Sequence, residues 1–309
     1  MDMNSKARKR DKKTTIFIIL MLAYPVIQFL VFWLGMNVSS FTMAFSNIGV
    51  NGETFVGWAN FEEIFRSFAE PGNLIKTYCL NSLSLFPLIV FGIVPISLIF
   101  SYFLFKKVFL YKFYRVVFYL PACISAVVLT MLFTYMIEPQ TGPVFKILES
   151  LGWISGEASY TGLLGSESTA WGTILVFSIW TGLSTNLVMF CSAMSRVPQE
   201  ILESGNLDGA GMFTEMTSLI IPIIWPTVST MIVMGMLEVF TWFMPSLLMT
   251  NGGPNGATGT IGLHIINGAT QIRGKYEVAS FGIMMTLIAA PILLTLRYFM
   301  NRLYDAVEV

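Results

Sequence analysis

The sequence predicts an all-α polytopic membrane protein with six transmembrane helices, on three observations. Of its 309 residues, 55% are apolar and only 12% are charged, where a soluble domain carries about 25% charged residues. Mean hydropathy is +0.70, which points to lipid as the main solvent. Six stretches reach the roughly 20 mostly apolar residues needed to cross a hydrocarbon core, at about 15–38, 79–105, 114–137, 170–194, 221–249 and 278–300. Lipid offers no partner to backbone N–H and C=O groups, so each stretch must satisfy its own as a helix. The stretches are too long and too evenly apolar for the alternating strands of an outer-membrane barrel, about ten residues each. No clear internal repeat or low-complexity linker divides the chain, so 1–309 reads as one domain.

The first span follows a basic tail, 1–14, that carries Lys6, Arg8, Lys9, Arg10, Lys12 and Lys13. A signal peptide has an apolar core of only about 7–15 residues. This core is longer and reads as a retained anchor. Lys and Arg concentrate in cytoplasmic loops, so their distribution sets orientation. One side holds the six tail residues with Lys106, Lys107, Lys112, Arg115, Arg196, Arg297 and Arg302; the other holds Arg66, Lys76, Lys146, Arg273 and Lys275. That split of 13 against 5 places both termini in the cytoplasm of a cell (inner) membrane, as an even number of spans requires. Three outer loops follow, near 39–78, 138–169 and 250–277. The first mixes Phe55, Trp58, Phe61, Ile64 and Phe65 with acids, which suits either an amphipathic helix on the outer rim or a loop with aromatic anchors.

Composition also excludes. Net charge is zero, so nothing attracts nucleic acid globally. Cys79, Cys123 and Cys191 have no metal or disulfide spacing and read as buried, reduced packing residues. His264 stands apart from any Cys or other His and reads as a satisfied or exposed loop residue, not a metal ligand. There is no Gly-x4-Gly-Lys-Ser/Thr P-loop, so the chain is not itself an ATPase.

The inner loop at about 196–222 breaks the charge rule, with Arg196 against Glu200, Glu203, Asp208 and Glu215. An acidic loop suits a basic protein partner. Its pattern predicts two short helices around a turn. Pro198 sits where a helix starts, and Gln199, Glu200 and Glu203 favour its first turn. Asp208-Gly209 is a turn dipeptide, with Asp208 expected to cap or pair locally. Pro222 and Pro226 limit how the next helix begins.

This run, Glu203-Ser204-Gly205, then Asp208-Gly209-Ala210, Phe213 and the two prolines, resembles the "EAA" motif of ABC importer permeases. It departs at Ser204 and Gly205, where the family carries alanines; both are small, so close packing survives. Other segments resemble the same family in order: Phe55-Val-Gly-Trp-x-Asn60-Phe61, Asn81-Ser82, Phe118-Tyr-Leu-Pro121, Leu248-Met-Thr-Asn-Gly-Gly-Pro254 and Tyr276-Glu-Val-Ala279. The chain looks like the first permease of a binding-protein-dependent carbohydrate importer of the maltose, lactose or glycerol-phosphate type. The resemblance implies the type I importer (MetI-like) fold. It implies a second homologous permease, two ABC ATPase subunits that carry ATP and Mg, and an extracytoplasmic solute-binding protein. Residues Glu203, Ser204, Gly205, Asp208, Gly209, Ala210 and Phe213 would couple to the ATPase, leaving no cofactor in this chain.

Polar residues inside spans are costly and mark pathways. Helical spacing places Gly235, Glu238, Val239 and Trp242 on one face of the fifth span, and Ser178, Thr181, Gly182 and Thr185 on one face of the fourth. Counted from the motifs, these stripes resemble the family's sugar-contacting positions. A carboxylate, hydroxyls and an indole suit a sugar; small residues equally suit packing between membrane helices. Two other readings remain. An ion-gradient-driven transporter would use Glu238 as an ion site and favours internal repeats and broken helices. A non-transporting scaffold would show no polar convergence between spans four and five.

Overall fold

The computed structural model describes residues 12–49 and 52–305; Lys6, Arg8, Lys9 and Arg10 of the basic tail lie outside the described residues. The first span runs from α1 (Lys12–Gln28) through a π-helical turn (Phe29–Leu34) into α2 (Gly35–Ala44). Its most apolar stretch buries nothing against the rest of the chain. A short antiparallel hairpin, β1 (Ser46–Gly49) and β2 (Gly52–Phe55), leads to α3 (Ala59–Ala69). This is the amphipathic-helix alternative for the first outer loop. It buries Phe61 and Ile64 inward at helical spacing and leaves Phe65 exposed.

The second span is α4 (Leu74–Pro87), a π-helical turn (Leu88–Ile93) and α5 (Val94–Phe105). Pro95 has no N–H to give to the turn before it, and the widened turn absorbs that loss. The third span was expected as one helix over 114–137 and is instead two, α6 (Tyr111–Cys123) and α7 (Ala126–Met136), bent by 109°. Pro121 in the last turn of α6 removes a donor, and Ile124 and Ser125 are extended, with ψ 143° and 136°. After α8 (Pro143–Ser150) and α9 (Ala158–Thr161), the fourth span α10 (Glu167–Met194) is unbroken. Then come α11 (Gln199–Leu207), α12 (Met212–Thr214) and a π-helical turn (Glu215–Ile220).

The fifth span was expected to reach 249 but stops with α13 (Ile221–Thr241); α14 (Met244–Met249) follows after two non-helical residues. Trp242 is extended, ψ 120°, and Pro245 has no N–H for the Thr241 carbonyl. Next are α15 (Ile261–Ala269) and the sixth span α16 (Gly274–Asp305). Among the described residues five helices are long and apolar enough to cross a membrane, and the bent α6–α7 pair, taken as one span, makes the sixth.

Lipid is as apolar as leucine, so close packing, not water exclusion, must hold spans together. Two glycines show how. A Cβ on Gly182 would sit 2.9 Å from Ile93, and one on Gly235 2.6 Å from Ile89. Both isoleucines belong to the Leu88–Ile93 turn, which is therefore wedged between α10 and α13. At one end of the bundle the Lys106 ammonium pairs with the buried Glu215 carboxylate at 2.5 Å, and Trp225 Nε1 donates to the Met300 carbonyl at 3.0 Å. The 106–110 loop, the 199–220 element and the end of α16 thus share one side.

At the other end, the resembling motifs act as staples. Asn81 Nδ2 donates to the Ala257 and Gly259 carbonyls at 2.8 and 2.9 Å. Ser82 Oγ accepts from the Ile261 N–H at 2.9 Å. Asn60 Nδ2 donates to the Ala44 and Ser46 carbonyls at 3.0 and 2.8 Å.

Two single-residue expectations need correction. Cys191 is buried and Cys79 half-buried, but Cys123 is exposed, because it ends α6 at the break. His264 is neither exposed nor satisfied. Its ring lies 5.9 Å from Tyr78 and edge-on to Phe281 at 5.1 Å, and Nε2 is buried without a partner.

Candidate functional site

Two regions carry the expected site residues. The first is a cavity of about 460 Å³ formed where the two helix breaks meet α10. Its walls are Pro121, Ala122 and Ile124 from the end of α6, Ala126, Leu129 and Thr130 from α7, Phe177, Thr181 and Thr185 from α10, and Glu238 with residues 241–245 across the α13–α14 break. Thr181 stands midway along α10, so the cavity sits near mid-membrane. Non-helical backbone is tolerated at that depth where it lines a watery cavity.

Four expected solute residues, Thr181, Thr185, Glu238 and Trp242, meet on this cavity. The other four do not. Ser178 is buried and donates to the Ile174 carbonyl at 2.8 Å. Gly182 and Gly235 are taken by Ile93 and Ile89, and Val239 is buried in the core. The face reading of the fifth span fails for a specific reason. Gly235 packs on the second span through Ile89 and Val239 is buried, whereas Glu238 faces the cavity. Trp242 reaches the cavity only because the helix has ended.

Glu238 is exposed and lines the cavity, and its carboxylate has no hydrogen bond or ion pair among the described residues. Trp242 is placed by a relay: its ring meets Trp171 edge-on at 6.1 Å, and Trp171 Nε1 donates to Ser84 Oγ at 3.2 Å. Ser84 Oγ donates in turn to the Asn81 carbonyl at 2.6 Å. Thr130, Phe177, Thr241 and Phe243 also line the cavity and were missed from sequence. Pro121 and Pro245, each able to interrupt a span, were the signals that could have found them.

The second region is the 199–220 element. Two short helices surround a turn, as the pattern predicts, with Pro198 capping α11 instead of opening it. Gly209 has φ +78°, and a Cβ there would meet nothing within 4 Å, so glycine is required by backbone geometry. Its N–H donates to the Asn206 carbonyl at 3.1 Å, and that of Ala210 to the Gly205 carbonyl at 2.9 Å. Gly205 is fixed by packing, since its Cβ would lie 2.5 Å from Leu219.

Glu203, Ser204, Asp208 and Phe213 are exposed, and Ala210 is half-buried. Leu207 and Phe213 are 89% and 72% exposed. Asp208 neither caps nor pairs through its side chain among the described residues; its backbone N–H donates to the Ser204 carbonyl at 3.0 Å. Glu215 leaves the acidic surface altogether, being buried against Lys106.

Residues 93–309 match the family described as the binding-protein-dependent transport system inner membrane component. The chain belongs to that family. It is 26% identical over 188 residues to the probable ABC transporter permease protein YurN of Bacillus subtilis, covering 60% of this chain and 63% of that one. It is 25% identical over 193 residues to the diacetylchitobiose uptake system permease protein NgcF of Streptomyces coelicolor, covering 62% of this chain and 54% of that one. The matches thus span less than two thirds of either relative's own length. The fold is shared with a solved bacterial alginate ABC transporter in complex with a pentasaccharide-bound periplasmic protein. There the TM-score is 0.80 at 19% identity, covering 97% of this chain and 99% of that one. Broken mid-membrane helices also suit an ion-gradient-driven transporter, but the family matched is one of binding-protein-dependent transport.

Proposed function

We propose that the chain is one of two homologous permease subunits of an ATP-driven importer that carries a sugar or oligosaccharide into the cytoplasm. The observation that carries this reading is the meeting of an unpaired carboxylate, hydroxyls and an indole at mid-membrane, where two spans break. A sugar needs hydrogen-bonding groups for its hydroxyls and an apolar plate for its C–H face. The names of the relatives, a diacetylchitobiose uptake permease among them, support the same cargo class. A second permease completes the cavity wall, and the uncovered first span supports contact beyond this chain. The 199–220 element docks into a cleft on an ATPase subunit through Leu207, Phe213 and the Gly209 turn; its exposed apolar groups support a protein partner. An extracytoplasmic binding protein delivers the solute at the opposite end. The charge split supports cytoplasmic termini.

The test is uptake in vesicles reconstituted with the partners. Transport should require ATP and persist when ion gradients are collapsed. Glu238→Ala or Trp242→Ala should weaken uptake or alter selectivity while binding-protein-stimulated ATP hydrolysis persists. Unchanged uptake in both across several sugars would move the site off this chain.

A further inference from the structure

We infer that this chain's wall of the cavity accepts cargo rich in hydrogen-bond donors and rejects anionic cargo, with Glu238 as the residue that sets the charge preference. The inference rests on the proposed sugar import and narrows it to neutral or amino sugars. Three threonines on the wall have already spent their hydroxyl hydrogens on their own helices. Thr130 donates to the Ala126 carbonyl at 2.7 Å, Thr181 to Phe177 at 3.0 Å and Thr241 to Leu237 at 3.0 Å. A hydroxyl held in this way turns only lone pairs outward. The Glu238 carboxylate is an acceptor too, and no group among the described residues pairs with it. Thr185 and the Trp242 indole N–H are the side-chain donors left on the wall. Among its lining residues there is no Lys, Arg or His.

Each helix break brings one C-terminus beside one N-terminus, and their opposite partial charges offset. The full charge of Glu238 therefore decides the sign of the wall. Sugar hydroxyls donate to such a wall, and an ammonium donates with charge assistance. A carboxylate or phosphate brings acceptors to acceptors and a like charge to Glu238, in surroundings of reduced dielectric. Rejection built from repulsion is a recognised source of specificity.

The test is ligand-observed NMR on the purified importer without binding protein, so that delivery does not enter. The probes are maltotriose, a tri-glucosamine at pH 6 and a tri-uronate. The triamine should bind at least as well as maltotriose, and the uronate roughly tenfold or more weakly. E238Q should shrink the gaps between the three probes, and raising salt should shrink them in the wild type. Uronate binding equal to maltotriose in the wild type would overturn the inference while leaving sugar import standing. So would an unchanged amine-to-neutral ratio in E238Q. Failure of all three probes, in an assembly that still hydrolyses ATP, would overturn sugar import and the inference together.

Discussion

The mid-bundle cavity and the 199–220 element are built in opposite ways. The cavity turns polar side chains inward from residues as far apart as Thr130 and Trp242. The element turns apolar side chains outward from one contiguous stretch, with Leu207 and Phe213 at its surface. In the cavity, backbone irregularity is the means: two spans end early so that Trp242 and the 121–126 segment can face a common space. In the element, irregularity is limited to the turn around Gly209 and the π-helical turn at Glu215–Ile220, and the hydrogen bonds around Gly209 are local. A site of the second kind survives as a motif. A site of the first kind exists only after folding.

The largest effect should come from separating the two regions at Gly209. A tryptophan there must adopt a left-handed backbone, which costs about 1–2 kcal/mol, and must project from the docking turn. Gly209→Trp should abolish ATP-driven transport while ligand binding to the cavity persists. Normal transport with the ATPase still bound would break the docking half of the comparison.

The next effect should be on stability. Lys106→Met leaves the Glu215 carboxylate buried and unpaired, for which losses of about 3–5 kcal/mol are typical. Thermal unfolding in detergent should show it, with the double change Lys106→Met/Glu215→Met recovering most of the loss. A silent Lys106→Met would mean that the element is not anchored through this pair.

A smaller effect should follow from loosening the Trp242 relay. Trp171→Phe removes the bond to Ser84 and should weaken cavity binding by roughly 3–10-fold, in line with a single lost hydrogen bond. ATP hydrolysis should change little. Equal losses in binding and hydrolysis would show that Trp171 supports the bundle instead of positioning the indole.

The smallest effect should come from His264, which belongs to neither region. Burial holds its pKa below the ordinary 6.5, so the fold favours the neutral ring. The folded state then binds fewer protons than the unfolded state as pH falls below about 6.5. Stability should therefore be full above that value and decline below it, levelling once the folded-state ring also titrates. His264→Met should flatten this slope in unfolding measured between pH 7 and 5. An unchanged slope would assign it to another group.

The sequence alone determined the class of solvent, the number of apolar spans and the two short helices around a turn at 199–220. Each depends on composition or on neighbours in the chain: scarce charge, apolar run length, and the Asp208-Gly209 turn. Glu238 was also legible, because a carboxylate in an apolar run is conspicuous wherever it faces. Tertiary structure decided which neighbours joined it. Ideal helical geometry placed Gly235 and Val239 beside Glu238, but the Leu88–Ile93 turn claimed that face through Ile89. Trp242, Phe243 and Thr130 were out of reach because their positions depend on where two helices stop and at what angle they resume. Pro121 and Pro245 announce that a ladder of hydrogen bonds loses a rung. The direction the chain then takes is set by the packing around the break, which no local pattern encodes.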